Sequence, residues 1–153
     1  MTTMQSNPTT MSDLDLVIQR QFDAPRELVF KAWTEPERLM HWWAMEGAAA
    51  PACSIDLRVD GSWRAAVVTP DGTEHWAHGR YVEIDAPERL VFTFCWEAAE
   101  DEHDTQITIS LAEQDGQTSM MFHQATFRTI KERDEHNEGW SSCFDQLAAD
   151  LAA

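Results

Sequence analysis

Positive charge is scarce in this chain: 11 Lys and Arg face 27 Asp and Glu, giving a formal net charge of −16 with histidine neutral. A field of that sign repels phosphate backbones and anionic headgroups, so neither nucleic acid nor a membrane is an expected partner. No apolar run approaches the roughly 20 residues that a membrane-spanning helix needs. The stretch from Met1 to Ser12 lacks the basic-then-apolar order of a secretory signal, and the expected compartment is the cytoplasm. Cysteine is confined to Cys53, Cys95 and Cys143, an odd number set far apart, which argues against a disulfide framework or a zinc ribbon. There is no H-E-x-x-H, no G-x-S-x-G elbow and no glycine-rich phosphate loop. No metal and no cofactor is therefore expected.

Large apolar side chains are plentiful instead. Seven Trp, seven Phe and seven Met occur in 153 residues that are 43% hydrophobic. A chain of this length ordinarily builds one core. So much bulk in a small acidic protein implies either a thick core or the walls of a cavity. Residues 1–12 read as a polar, disordered leader and residues 13–153 as a single domain.

From Leu14 the pattern alternates through Leu16, Ile18 and Phe22, with polar Arg20 interrupting an otherwise apolar face. Asp23-Ala24-Pro25 ends that strand and opens a short helix. Thr34 and Glu37 have capping-box spacing, which predicts a second short helix carrying Leu39, Met40, Trp42 and Trp43. A meander of six strands follows. Ile55, Leu57 and Val59 alternate up to Asp60-Gly61, a hairpin signal. Pro70-Asp71-Gly72 and Asp115-Gly116 mark further turns, and Leu90, Phe92, Phe94 and Trp96 alternate between them. Thr129 and Glu132 repeat the capping spacing, and Trp140, Cys143, Phe144, Leu147 and Leu151 recur at helical period. A helix over residues 130–151 would be about 33 Å long, enough to cross a curved sheet.

Particular residues in this order carry a resemblance. Phe22-Asp23-Ala24-Pro25 precedes Val29-Phe30-Lys31-Ala32-Trp33, Pro36-Glu37 and His41-Trp42-Trp43. Asp56, Arg58, Pro70-Asp71-Gly72 and Gly79-Arg80-Tyr81-Val82-Glu83-Ile84 follow. Pro87-Glu88-Arg89-Leu90-Val91-Phe92-Thr93, Gly139-Trp140 and Leu147 complete the set. Together they resemble the START-like, helix-grip proteins of the SRPBCC superfamily, in particular the activator of heat-shock-protein-ninety ATPase homologue (AHSA-type) group. The resemblance implies an α+β fold in which a curved antiparallel sheet of about seven strands wraps a long C-terminal helix and leaves a cavity between them. Two departures stand out: Asp60 replaces the first glycine of a frequent Gly-Gly pair, and Gln124 stands where histidine is frequent.

The expected ligand-binding residues are Trp43, Trp63 and His78 with Phe92, Phe94 and Trp96 from the sheet side. Ile109, Met120 and Phe122 are expected to extend that wall, with Trp140 and Phe144 facing it from the helix. Each is individually ordinary core; it is their number that suggests a cavity. Trp140→Ala is expected to weaken binding more than stability. Gly139, inside the helical pattern, reads as close packing on the sheet or as room for a ligand. His75 and His78 lie three apart on a strand, so they point to opposite faces and cannot share a metal. Whether His78, Arg80 and Tyr81 face inward hangs on one residue of hairpin register. Glu97, Glu100, Asp101, Glu102 and Asp104 read as a solvated loop; their spacing fits no calcium hand. Glu83 and Asp56 are acid–base candidates if buried. The leading function is binding of a small hydrophobic or aromatic molecule. An enzyme of the same fold, cyclase- or hydrolase-like, is the alternative, and a chaperone ATPase-activating partner comes third. A homodimer is left open.

Overall fold

The computed structural model describes residues 12–44, 50, 52–97 and 103–152. Strand β1 (Leu16–Phe22) leads to helices α1 (Arg26–Thr34) and α2 (Pro36–Leu39). Strands β2 (Cys53–Ile55), β3 (Ser62–Val68), β4 (Glu74–Asp85), β5 (Arg89–Trp96), β6 (Thr105–Gln114) and β7 (Gln117–Ala125) follow, and helix α3 (Ile130–Ala152) ends the chain. The strands form one antiparallel sheet in the order β1-β7-β6-β5-β4-β3-β2. This is the helix-grip arrangement: a curved sheet around a long C-terminal helix.

Alternation explains which face grips the helix. Along β6, Thr105, Ile107, Ile109 and Leu111 are buried; along β7, Thr118, Met120, Phe122 and Gln124 are. Trp140, Cys143, Phe144 and Leu147 of α3 meet that face. The polar interruption in β1 is accounted for by the helix. Arg20 reaches across to Asp145 Oδ1 at 2.8 Å and to the Ser141 carbonyl at 3.2 Å, with its guanidinium carbon 5.9 Å from the centre of the Phe144 ring. Thr129 caps α3 as its spacing predicts, its hydroxyl accepting the Glu132 N–H at 3.0 Å.

Two turns differ from expectation. Thr34 caps nothing; it is still the last residue of α1, and its hydroxyl donates to the Phe30 carbonyl at 2.9 Å. Glu35 is the N-cap of α2, which ends at Leu39, so Trp42 and Trp43 lie beyond the helix. Asp60-Gly61 is not a two-residue hairpin. Pairing of Ile55 with Trp63 leaves residues 56–61 as a wide loop, in which Leu57 and Val59 are exposed. The Asp60 N–H donates to the Tyr81 carbonyl and the Tyr81 N–H to that of Gly61, tying the loop to β4. Asp115-Gly116 does form the tight turn, with φ of 54° and 79° as a type I′ hairpin requires.

One glycine is essential to the inner face. A Cβ on Gly79 would lie 1.8 Å from the Thr93 carbonyl oxygen and 2.6 Å from Trp63 Nε1, whose N–H donates to that same carbonyl at 3.0 Å. The indole of Trp63 thus occupies the space a side chain would take. Gly79→Ala is expected to cost about 1–3 kcal/mol through overpacking. The change would appear as a lower urea midpoint at unchanged slope; an unmoved midpoint would contradict this packing.

Candidate functional site

The aromatic side chains converge on one region between sheet and helix. Trp33 of α1 sits against Trp42 at 4.6 Å between ring centroids and near Trp140 and Phe144. Trp43 meets Trp63 at 5.6 Å and Trp140 at 5.2 Å, both edge to face. Such pairings favour offset and perpendicular rings, because the quadrupoles repel in a face-to-face sandwich.

Inside this cluster runs a buried hydrogen-bonded chain. Trp140 Nε1 donates to Gln124 Oε1 at 2.9 Å, Gln124 Nε2 donates to Thr105 Oγ1 at 2.8 Å, and Thr105 Oγ1 donates to the Phe94 carbonyl at 3.3 Å. The chain spans α3, β7, β6 and β5. It satisfies every side-chain polar atom it contains by using the donor and acceptor of one amide.

Beside Trp140 a cavity of about 280 Å³ opens between β3, β5 and α3. Val67, Thr69, Phe94 and Trp96 line it from the sheet side, Trp43 and Ala44 from the segment after α2, and Glu135, His136, Gly139, Trp140 and Cys143 from α3. Its size lies at the lower edge of the range of roughly 300–1,000 Å³ common for small-molecule pockets.

Three ionisable groups lie at this cavity. His136 Nε2 accepts the Trp96 Nε1–H at 3.1 Å, so that nitrogen carries no proton. Burial among Phe94, Trp96 and Phe127 lowers the His136 pKa, although Glu132 and Glu135 pull it the other way. Cys143 is held as a thiol, pushed up to about 12 by burial, and its Sγ donates to the Trp43 carbonyl at 3.1 Å. It is therefore not an activated nucleophile. Glu135 is exposed at the rim.

The sequence-predicted residues separate into groups. Trp43, Phe94, Trp96 and Trp140 line the cavity. Trp63 and Phe92 stand one ring behind, each in contact with that lining or with one another. Phe122 and Phe144 support Trp140 from below, at 4.9 and 5.7 Å. Ile109 and Met120 are closed core and do not line the cavity. Trp140 is only 6% exposed and hydrogen-bonded, so truncating it removes core as well as cavity wall, contrary to the expectation of a modest stability loss.

His78 requires correction. The Thr69–Thr73 turn pairs Ala65 with Ala77 and Trp63 with Gly79. That register turns Ala77, Gly79 and Tyr81 inward and places His78 and Arg80 on the outer face of the sheet. There His78 Nδ1 lies 3.0 Å from Glu97 Oε2, and Arg64 grips the same carboxylate at 2.7 and 2.9 Å. The Arg64 hydrogen bonds, helped by His78, hold Glu97 down to about 2. Glu83 and Asp56 are likewise away from the cavity, paired with Arg89 and Arg58. His75 and His78 do face opposite ways, His75 standing edge to face with Trp96. Of the acidic loop, Glu100, Asp101 and Glu102 lie outside the described residues. Among the described residues no cluster of three or more His, Cys, Asp or Glu could hold a metal.

Sequence reasoning missed Val67, Thr69, Glu135 and His136. Val67 and Thr69 continue the two-residue period of Trp63 and Ala65, and His136 lies one turn before Trp140 on the same helical stripe.

A sheet gripping a single long helix, with an aromatic-walled space between them, defines a START-like helix-grip protein. Residues 23–152 match the family model described as activator of Hsp90 ATPase homolog 1-like protein, and the chain belongs to that family. Solved structures agree. A protein of Chromobacterium violaceum is 26% identical with a TM-score of 0.84, covering 93% of this chain and 99% of its own. The AHSA1 protein of Silicibacter pomeroyi is also 26% identical, with a TM-score of 0.79 and coverage of 90% and 97%. A protein of Nitrosomonas europaea is 25% identical at a TM-score of 0.78, covering 92% and 95%. No curated protein matches the chain.

Two predictions follow from the site's polar contacts. Trp140→Phe and Gln124→Leu each strand a buried partner and are expected to cost about 1–3 kcal/mol for that unsatisfied group, besides any packing loss. The double variant should cost clearly less than the sum, since neither partner is then left alone; strict additivity in a double-mutant cycle would refute the bond's role. His136, with its folded-state pKa lowered, contributes stability that is present above about 6.5 and lost as pH falls through the folded-state value. The melting temperature should therefore fall between pH 7.5 and 5.5 by more in the wild type than in His136→Gln. Parallel profiles would contradict this.

Proposed function

We propose that this protein is a cytoplasmic binder of a small hydrophobic or aromatic molecule, held in the cavity between β3, β5 and α3. The observation carrying this reading is the cavity itself. Its wall is built largely from Trp43, Phe94, Trp96 and Trp140, and only a few polar groups reach it. A volume of about 280 Å³ suits a compact ligand rather than a long-chain lipid. Cys143 is a buried, protonated thiol and His136 is tied to Trp96, which favours binding without chemical change over a reaction in the cavity. The family description names activation of the Hsp90 ATPase; the cavity favours a ligand-binding role over that one.

Gly139 offers a clean test. It lines the cavity from the middle of α3, where glycine costs roughly 0.5–1 kcal/mol relative to alanine. Gly139→Leu is expected to keep or raise the melting temperature while reducing uptake of a neutral naphthalene probe at least tenfold. Unchanged uptake would overturn the cavity as the site. Native mass spectrometry of freshly purified protein should also show a small co-purifying compound, displaced by the probe and recovered intact. Conversion of that compound into a new product would favour the enzyme reading.

A further inference from the structure

The walls of the cavity have a geometry more specific than apolarity. Trp43 and Trp140 meet at 81°, Phe94 and Trp96 at 86°, and Phe94 and Trp140 at 66°, with centroids 5.2 to 6.1 Å apart. Packed edge to edge or edge to face in this way, the four rings turn their planes in different directions around the cavity they all line, and so wall it as an aromatic box. An aromatic face carries negative quadrupole density and attracts a cation placed over it, Trp most strongly.

Charge around the box points the same way. Among the described residues neither Lys nor Arg lines the cavity, whereas Glu135, an exposed carboxylate, does. Glu132, one helical turn earlier, acts on His136 together with Glu135. His136 adds no positive charge while its Nε2 accepts the Trp96 N–H. The chain as a whole bears a formal charge of −16. An anion entering here would meet repulsion and no basic partner. A primary ammonium would bring three N–H donors to a wall poor in acceptors, Thr69 and Glu135 being the side-chain oxygens in the lining. A fully alkylated ammonium has no N–H to satisfy and presents methyl groups to the rings.

We propose that the ligand is a small organic cation, a quaternary or fully alkylated ammonium on a compact apolar body, held in the box of Trp43, Phe94, Trp96 and Trp140 with Glu135 at the entrance. This deepens the binding role proposed above and rests on it. Cation–π contact and the rim carboxylate together offset the dehydration of the charge, which is smaller for an alkylated ammonium than for a bare one.

Three isosteric probes separate the two claims: benzyltrimethylammonium, its neutral carbon analogue neopentylbenzene, and anionic benzylsulfonate, each titrated into the full chain by tryptophan fluorescence and calorimetry. Benzyltrimethylammonium is expected to bind at least tenfold more tightly than neopentylbenzene, and benzylsulfonate not to bind. Glu135→Gln should weaken the cation severalfold and reduce its salt dependence while leaving the neutral analogue unchanged. Trp96→Leu should weaken the cation more than the neutral analogue, and Trp96→Phe should restore part of the loss. Equal or tighter binding of neopentylbenzene would overturn the cation proposal and leave the hydrophobic-binding role standing. If none of the three binds, both fail.

Discussion

The bond from Trp140 Nε1 to Gln124 Oε1 couples the C-terminal helix to the sheet through a buried, directional contact. Apolar contacts between α3 and the sheet are numerous but not directional, and a helix can slide or rotate over such a surface at little cost. A buried donor that must find its acceptor removes that freedom, because a displaced helix would strand both atoms. Gln124 meets the demand by accepting from α3 and donating to Thr105 in the same amide. A neutral imidazole offers a similar pair of functions but titrates near neutrality. The glutamine found here keeps the coupling independent of pH.

Other ties secure the rest of α3 around the cavity. Cys143 donates to the Trp43 carbonyl, Gln146 to the Ala44 carbonyl, and Arg20 bonds to Asp145 from the first strand. Held on several sides, the helix does not settle fully onto β3 and β5, and the space beside Gly139 stays open. A native interior ordinarily fills voids of that size, since unfilled volume forfeits dispersion contacts. Polar fastening of α3 and the large rigid rings of Trp43, Phe94, Trp96 and Trp140 together hold the walls of this space in place.

Much of this architecture was legible in the sequence. The strand count, the two short helices and the span of α3 follow from period and punctuation, and Thr129 capped where its spacing said. The failures have local causes. Thr34 had the spacing of a cap but remained inside the preceding helix, bonded to Phe30. Asp60-Gly61 had the composition of a tight hairpin, yet cross-links to Tyr81 held it open as part of a wider loop. His78 failed through register: alternation says which residues share a face, but only the closed Thr69–Thr73 turn decides which face is inside. His136 was hidden for a different reason. Its neighbours on the helical stripe were visible, but its partner Trp96 lies 40 positions away and is brought to it only by the grip of the sheet.

The acidic excess acts on the cavity more locally than its size suggests. At physiological ionic strength, charges beyond about 8 Å are largely screened when exposed. The chain's arginines are mostly engaged near home: Arg38 with Glu35, Arg58 with Asp56, Arg64 with Glu97, Arg89 with Glu83 and Arg133 with Asp134. Exposed pairs of this kind add little stability. They do neutralise their partners' fields and keep each cation beside its own carboxylate. The charged groups that matter at the cavity are then Glu135, in its lining, and Glu132, one helical turn earlier, both of which act on His136. On the binding role proposed above, electrostatic selection and aromatic packing act at the same few residues rather than across the distant surface.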